Sequence, residues 1–331
     1  MHVVARFLPS GPSVAVLAAL TFVAGASGMA ISFLFLASDH PLDVTAGASG
    51  FVAGAVLVAA GLVSLAVRER YELVPTPTLS VVDDATIAEP LLDAGRWIAH
   101  FRANSENRPE PDWTAPVTLS AEVVAPLVRS LEQFQLGDGG GPAYLIARNR
   151  EQFLAQDEGT RQLVDLWFAE EREHARLLGA AVARLGGKLI TEHWSFTAFC
   201  QTRKWFGVRF ELTVLLLTEI VSTVYYRMLL RHTNDAAVRG MCRLILRDEI
   251  GHVSFHRDRL ARQARTGTAT YGRMWAAKFR VLGLAAATML WVNHAPGLRA
   301  VGVTRRAFYR AVRRELALFV ARLRMEIAAS A

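Results

Sequence analysis

FAEEREHARLL (168–178) and LRDEIGHVSFH (246–256) each contain a Glu-x-x-His motif. The four motif residues are Glu171, His174, Glu249 and His252. Residues three apart lie on one face of an α-helix, so each motif directs a carboxylate and an imidazole to the same side. One such motif is weak evidence, because Glu and His are ordinary surface residues. Two motifs on separate helices are a much stronger signal for a metal site.

Apolar spacing around the motifs predicts four long helices, and no stretch shows the alternation of a β-strand. The helices are expected over residues 120–155, 160–185, 207–232 and 236–264. Short polar breaks join them in pairs, which favours antiparallel neighbours. The fold class is therefore all-α, and the core is a four-helix bundle with one motif on its second helix and the other on its fourth.

Glu219 is the acid that the third helix offers at the height of the fourth-helix motif. The third and fourth helices turn near position 234, and reflection of Glu249 and His252 across that turn falls at about 218. An acid inside the apolar stretch LLLTEIVSTVYY is costly to bury unless it is paired or binds a metal. The alternative to a metal is a buried ion pair with Arg247.

The first helix offers no Glu at the matching height. Reflection of the second-helix motif falls at about 142, within the run GDGGGP (137–142). Asp138 is the nearest acid, roughly 7 Å away along an ideal helix. Glycines in a helix cost about 1 kcal/mol each, so this cluster indicates a bulge, a close neighbour or room for a substrate. A bulge would bring Asp138 to the metals, and we take Asp138 as the sixth candidate ligand on that condition.

With TEIVSTVYY (218–226), the two motif stretches resemble the ferritin-like di-iron carboxylate superfamily over about residues 120–265. That group includes ribonucleotide reductase small subunits, acyl-carrier-protein desaturases, bacterial multicomponent monooxygenases and arylamine N-oxygenases. The resemblance implies two iron ions, or manganese. The implied ligands are Glu171, His174, Glu219, Glu249 and His252, with Asp138 in the first-helix position. It also implies that Asp248 holds the second ring nitrogen of His174.

Several positions depart from the pattern of that superfamily. Leu178 stands where reductase small subunits carry a radical tyrosine, so we expect no tyrosyl-radical role. Ile245 stands where N-oxygenases carry an extra histidine. His256 lies one turn after His252, and three roles remain open for it: a seventh ligand, a donor to the ligands, or a core histidine.

The amino-acid composition indicates that the protein is also attached to a membrane. The chain has 331 residues, of which 52% are hydrophobic, and a mean hydropathy of +0.24, which is high for a soluble protein. Two cysteines exclude a disulfide scaffold and a four-cysteine zinc site. The net charge of +7 is compatible with an anionic membrane surface. We find no basic-aromatic nucleic-acid motif and expect no nucleic-acid partner.

Residues 13–38 and 44–67 are two uncharged runs, each long enough to cross a lipid bilayer. A cleaved signal peptide is the alternative for the first run, but its length and the second run directly after it favour a transmembrane hairpin. Arg6, Arg68 and Arg70 flank the hairpin, which predicts both ends in the cytoplasm. We therefore expect a multi-pass protein of the cell (inner) membrane with a cytoplasmic main domain.

Small residues in the hairpin include Gly25 and Gly28 in the first run and the GxxxG pair Gly50 and Gly54 in the second. Such residues let transmembrane helices approach closely. We expect them to pack the two spans on each other, and a dimer contact is the alternative.

Four segments are expected along the chain. They are a transmembrane hairpin (1–70), a connector with a short helix (71–118), a ferritin-like four-helix bundle (119–265) and C-terminal helices (266–331). In the last segment, the apolar run 281–292 is short for a span and favours a core helix. The basic run 304–327 lies either on anionic lipid headgroups or against the bundle as a solvated face.

These features predict O₂-dependent oxidation by a membrane-anchored di-iron enzyme. Mixed carboxylate and imidazole ligands suit iron that reacts with O₂. The reaction would be hydroxylation, desaturation or N-oxygenation of a lipophilic substrate, with an electron-donor protein as a further partner and no catalytic residue beyond the metal ligands. Two alternatives stay open: a non-catalytic iron-handling or degenerate ferritin-like membrane protein, and a structural bundle whose motifs are coincidence. Iron content separates the three.

Overall fold

The computed structural model describes residues 11–35, 41–72, 94–140, 158–204, 207–267 and 269–329. The chain divides into two compact units, Met1–Thr86 and Ile87–Ala331. The described residues are mostly helical and contain no strand, as the sequence predicts. Their helices are α1 (Gly11–Phe35), α2 (Pro41–Glu72), α3 (Ala94–Glu106), α4 (Ala121–Gly140), α5 (Glu158–Arg184), α6 (Trp194–Lys204), α7 (Gly207–His232), α8 (Ala236–Arg265), α9 (Arg273–Ala300) and α10 (Arg305–Ala328).

The first unit is a pair of packed apolar helices, α1 and α2. A Cβ atom at Gly25 would lie 2.6 Å from the Gly54 carbonyl oxygen, and one at Gly54 would lie 2.7 Å from the Gly25 carbonyl oxygen. Neither position therefore has room for a larger residue, and the two glycines set the close approach of the helices. Large apolar side chains on the outside of the pair are exposed, among them Leu20, Val23, Ile31 and Val56.

The second unit contains the candidate ligands on α4, α5, α7 and α8. Helix α4 packs on α5, α7 packs on α8, and α5 packs on α8, so these four helices form a bundle-like core. Helices α9 and α10 pack against its outside through a shared apolar core that includes Trp291, Phe308 and Phe319. The chain turns between α9 and α10 at Gly302, whose φ of 85° favours glycine.

Two helices among the described residues are long and apolar enough to cross a membrane, by length and composition only. They are Glu211–His232, within α7, and Arg273–Ala300, which is α9. Helices α1 and α2 contain shorter apolar stretches by the same test, Leu20–Ser32 and Ala46–Val58. In α7, 67% of the apolar window is buried by the rest of the protein, which is typical of a core helix, whereas in α9 the share is 33%. Helix α9 is also longer than the run 281–292 expected from the sequence.

Helix α3 adds a smaller aromatic cluster to the bundle. Its residues Trp97 and Phe101 pack with Leu163, Trp167 and Phe255 of α5 and α8. A short helix is therefore present within the connector, and it covers one side of the bundle-like core.

The glycine-rich end of α4 corrects one expectation. The helix is regular as far as Gly140, so the bulge expected at residues 137–142 is not present in its described part, and residues 141–157 lie outside the description. A Cβ atom at Gly139 would lie 3.3 Å from Ala175 Cβ on α5. Glycine therefore allows α4 to approach α5 beside His174, and this approach, instead of a bulge, places Asp138 near the motif.

Candidate metal centre

Side chains from α4, α5, α7 and α8 converge inside the second unit. They form two groups of three residues, and within each group the ligand atoms lie within 4.8 Å of one another. One is Asp138, Glu171 and His174, and the other is Glu171, Glu219 and His252. With Glu249, which lies beside His252, these residues form what we call the six-residue cluster. Glu171 belongs to both groups and so lies between them.

His252 is surrounded by carboxylates. Its Nδ1 atom lies 3.2 Å from Glu171 Oε1, 3.5 Å from Glu219 Oε2 and 3.9 Å from Glu249 Oε2. The Nδ1 atom of His174 lies 3.8 Å from Glu171 Oε2. Both histidines are completely buried and direct the same ring nitrogen into the cluster.

Several buried polar atoms of the cluster have no hydrogen-bond partner within the described part of the chain. They are Asp138 Oδ2, Glu171 Oε1, His174 Nδ1, Glu249 Oε2 and His252 Nδ1. Buried polar groups in proteins are nearly always paired, because an unpaired one costs about 1–3 kcal/mol. Five unpaired nitrogen and oxygen atoms in one place are the donor set that a metal ion requires, so these residues could hold a metal.

The outer nitrogens of the two histidines are held by a crossed pair of acids. His174 Nε2, on α5, lies 3.1 Å from Asp248 Oδ2 on α8, which is the contact that the sequence analysis names. His252 Nε2, on α8, lies 3.0 Å from Glu170 Oε2 on α5. Each acid immediately precedes the Glu of its own motif and holds the histidine of the other. A carboxylate on one ring nitrogen fixes the ring orientation and leaves the other nitrogen for a metal.

Arg108, which follows α3, joins the two outer acids. Its guanidinium lies 2.7 Å from Asp248 Oδ2 and 3.6 Å from Glu170 Oε1. Arg247 Nε also donates to Asp248 Oδ1, at 3.0 Å, and Arg247 reaches the Asn104 carbonyl oxygen of α3 at 3.2 Å. Arg247 is therefore directed to Asp248 and α3, and no ion pair to Glu219 is found among the described residues.

Burial and mutual repulsion shift the pKa values of the carboxyl groups in the cluster. Burial and the neighbouring charge of Glu219 raise the pKa of Glu249 well above its usual value. Burial and the charges of Glu171 and Glu219 do the same to the pKa of Asp138. Burial alone would raise the pKa of Glu219, but its hydrogen bond with Glu249 and the nearby His252 lower that pKa to about 2.

His252 is the other protonated group of the cluster. Burial alone would lower its pKa, but the surrounding carboxylates of Glu219, Glu170 and Glu171 raise it well above the usual value. The outer acid Asp248 behaves in the opposite way: despite burial, His174 and Arg108 lower its pKa to about 2. The raised pKa values of Asp138, Glu249 and His252 thus favour their protonated forms, while the lowered pKa of Asp248 keeps that acid charged.

His256 is buried but takes part in neither group. Its Nδ1 atom lies 3.5 Å from Arg259 Nη2, and Trp167 packs edge-on to its ring at 5.3 Å. Burial and the charge of Arg259 lower the pKa of His256 well below the usual value, so it is neutral. A ligand role for His256 remains a prediction.

Sequence reasoning missed Glu170 and Arg108. Glu170 had a detectable signal, because it precedes Glu171 as Asp248 precedes Glu249, and the same rule applied to the second helix would have found it. Arg108 had none, since it stands in the polar stretch HFRANSENRPEPDW and reaches the acids only through tertiary packing.

The chain matches no protein family, no curated protein and no solved structure in comparisons of sequence and fold. Its function must therefore be inferred from the cluster itself.

Proposed function

We propose that the chain is a membrane-anchored, ferritin-like di-metal carboxylate protein that catalyses an O₂-dependent oxidation with two iron ions. The observation that carries this proposal is the convergence of unpaired donor atoms from four helices on one buried place. Two Glu-x-x-His motifs on separate helices, with single acids from the other two, are the arrangement of that superfamily.

The charges of the cluster support two divalent ions. Four inner carboxylates carry four negative charges when they bind metal, and two divalent ions neutralise them. The outer acids Glu170 and Asp248 face the guanidinium groups of Arg108 and Arg247. A buried site without such balance would be strongly disfavoured.

The chain's own residues orient the ligands and keep water away. Phe101 and Trp167 lie 5.8 Å from the His252 ring, measured between ring centroids, on the side of the cluster that α3 covers. An enclosed apolar surrounding strengthens the electrostatic interactions inside it and limits side reactions. Two iron ions bound here would supply electrons to O₂.

The hairpin of α1 and α2 supports a membrane anchor. Its outer surface exposes Leu20, Ile31 and Val56 at 61%, 58% and 62% of their areas, which is favourable in lipid and unfavourable in water. The charges of Arg68 and Arg70 place the main domain on the cytoplasmic side of the inner membrane in this proposal. An anchor of this kind favours a lipophilic substrate.

Iron content and O₂ uptake test the proposal on the full-length chain. The protein should stay with membranes after an alkaline carbonate wash and, once extracted in detergent and loaded with Fe(II) without air, should hold close to two iron ions. Air should then be consumed, repeatedly if a reductant is supplied. Glu219→Gln, which keeps the volume and removes the charge, should lower the iron content toward one ion and abolish O₂ uptake.

Three results would contradict the proposal at different points. Release of the chain by the carbonate wash would remove the membrane anchor. The absence of bound transition metal would remove the metal centre. A single round of O₂ uptake that a reductant does not renew would favour iron handling over an oxidase.

Metal binding should release protons, because ligands bind metals in their deprotonated form. Asp138, Glu249 and His252 each have a pKa raised well above the usual value, so each loses its proton when metal binds. We therefore expect protons to be released when metal binds, and an apparent metal affinity that rises with pH. An indicator dye in weak buffer measures the release.

Glu249→Gln provides the control for proton release. Its amide has no proton to lose in this range, so fewer protons should be released than from the wild-type protein. Metal binding without any release of protons would contradict the protonation of the cluster.

A further inference from the structure

The hydroxyl of Tyr226 is buried beside the six-residue cluster and has no partner. The side chain is 0% exposed, and its oxygen makes no hydrogen bond to any residue that the structure describes. Its neighbour Tyr225 is equally buried, but its hydroxyl pairs with Ser130 Oγ at 2.6 Å. The two adjacent tyrosines therefore differ in their hydrogen bonds: the Tyr225 hydroxyl has a partner in the protein, and the Tyr226 hydroxyl has none among the described residues.

The helix geometry directs Tyr226 toward the cluster. It stands seven residues after Glu219, which is two turns along the same face of α7. Side chains of an α-helix lean toward its N-terminus, so the long Tyr226 side chain extends back toward the height of Glu219.

Contacts from α4 place the ring next to Asp138. Phe134 packs against the Tyr226 ring with 5.2 Å between centroids, and Phe134 lies one turn before Asp138 on the same helix face. Burial raises the pKa of the Tyr226 hydroxyl, and the charges of Asp138 and Glu249 raise it further.

The cluster itself offers unpaired acceptors on the side that the Tyr226 side chain faces. Asp138 Oδ2 and Glu249 Oε2 lack partners in the described residues, as the Tyr226 hydroxyl does. Buried donors and acceptors that the protein leaves unpaired are normally paired with water or with a ligand. A third group is therefore needed to bridge them.

We propose that Tyr226 is a positioning residue whose hydroxyl donates a hydrogen bond to a small ligand, water or an anion, bound at the metal centre between Asp138 and Glu249. This inference rests on the proposed function, because the ligand needs a metal to bind. It assigns Tyr226 no redox role.

The test compares Tyr226→Phe with Tyr225→Phe in the full-length protein. The first readout is the melting temperature without metal. Tyr226→Phe removes an unpaired buried hydroxyl and should leave the melting temperature unchanged or raise it. Tyr225→Phe removes a paired hydroxyl, leaves Ser130 without that partner, and should lower it.

The second readout is azide binding to the protein loaded with Co(II), followed by the visible spectrum of the cobalt. Loss of one hydrogen bond to the bound anion should weaken azide binding by about 5–10-fold in Tyr226→Phe. Tyr225→Phe should change azide affinity by less than about 2-fold, because its hydroxyl bonds to Ser130.

The outcomes separate this inference from the proposed function. If Tyr226→Phe lowers the melting temperature as much as Tyr225→Phe, the hydroxyl is paired within the protein and the inference is wrong. If cobalt binds and azide affinity is unchanged in Tyr226→Phe, the inference is wrong and the metal centre stands. If the wild-type protein binds no cobalt, the proposed function is wrong and the inference falls with it.

Discussion

Replacing Glu171 by alanine should abolish the binding of both metal ions. Its carboxylate belongs to both ligand groups, with Oε1 3.2 Å from His252 Nδ1 and Oε2 3.8 Å from His174 Nδ1. Loss of even an outer partner of a metal ligand weakens metal binding by about 10–100-fold, so loss of a shared ligand should exceed the upper end of that range. Metal content by mass spectrometry should fall from about two ions per chain to none.

Glu173→Ala is the matched control, two residues away on the same helix. The Glu173 carboxylate pairs with Arg176 at 2.7 Å on the surface and is not part of either ligand group. Its loss should leave metal content unchanged, since surface ion pairs contribute about 0–1 kcal/mol.

Variants of residues that belong to only one ligand group should have an intermediate metal content. Asp138→Ala and Glu219→Ala each remove one member of one group, so metal content should fall toward one ion in each variant. Retention of two ions in Glu171→Ala would contradict the shared role of Glu171. Circular dichroism of the metal-free variants checks that the helices are intact.

Asp235→Ala should cause a large loss of stability although the residue lies outside the cluster. Asp235 is completely buried and caps the N-terminus of α8, where Oδ1 accepts from the Val238 amide at 3.1 Å. The same carboxylate holds Arg184 of α5 at 3.0 Å and accepts from the Thr118 amide at 3.2 Å. Removal leaves the buried Arg184 guanidinium without its counter-charge, although it still donates to the carbonyl oxygens of Ala115 and Pro116. Breaking such a pair costs about 3–5 kcal/mol, and denaturant unfolding in detergent measures it.

Asp235→Asn separates the cap from the charge. Asparagine is as good an N-cap as aspartate, so this variant should keep the Val238 contact and lose only the charge of the pair with Arg184. Asp112→Ala is the second control, because that exposed carboxylate accepts hydrogen bonds from the neighbouring Thr114 and its loss should change stability by less than about 0.5 kcal/mol. Equal losses in Asp235→Ala and Asp112→Ala would contradict the role of the buried pair.

Asp235 also makes the stability of the fold sensitive to acid. Burial alone would raise the pKa of Asp235, but the amide of Val238 and the guanidinium of Arg184 lower it below the usual value. A carboxyl with a lowered pKa in the folded state stabilises the fold above its unfolded pKa, and this stability is lost as the pH falls through the folded value. Asp235→Ala should therefore weaken the dependence of stability on pH below about 4.

Local patterns in the sequence predict the helices of the bundle closely. The expected helices over 207–232 and 236–264 correspond to α7 and α8 within one residue, because a polar turn and a buried cap at Asp235 mark the boundary. Helix α5 differs from its expected range by two residues at the start and one at the end. The expected first helix is described only to Gly140, and the rest of it lies outside the described residues.

Positions that depend on packing between helices could not be predicted in the same way. Reflection across the turn placed Asp138 roughly 7 Å from the motif of α5, because that estimate treats the helices as parallel rods with fixed ends. The structure brings Asp138 and Glu171 together through the close approach at Gly139. Arg108 is a further case, since nothing near it in the sequence indicates that it bridges Glu170 and Asp248.

The crossed acids determine how this centre could decay in evolution. Glu170 and Glu171 are neighbours in the chain but serve different histidines, and Asp248 and Glu249 are divided in the same way. A change that removes one Glu-x-x-His motif together with the acid before it also removes the support of the other histidine. We therefore expect that half of the centre does not persist as a well-oriented single-metal site, and that the two stretches are kept or lost together.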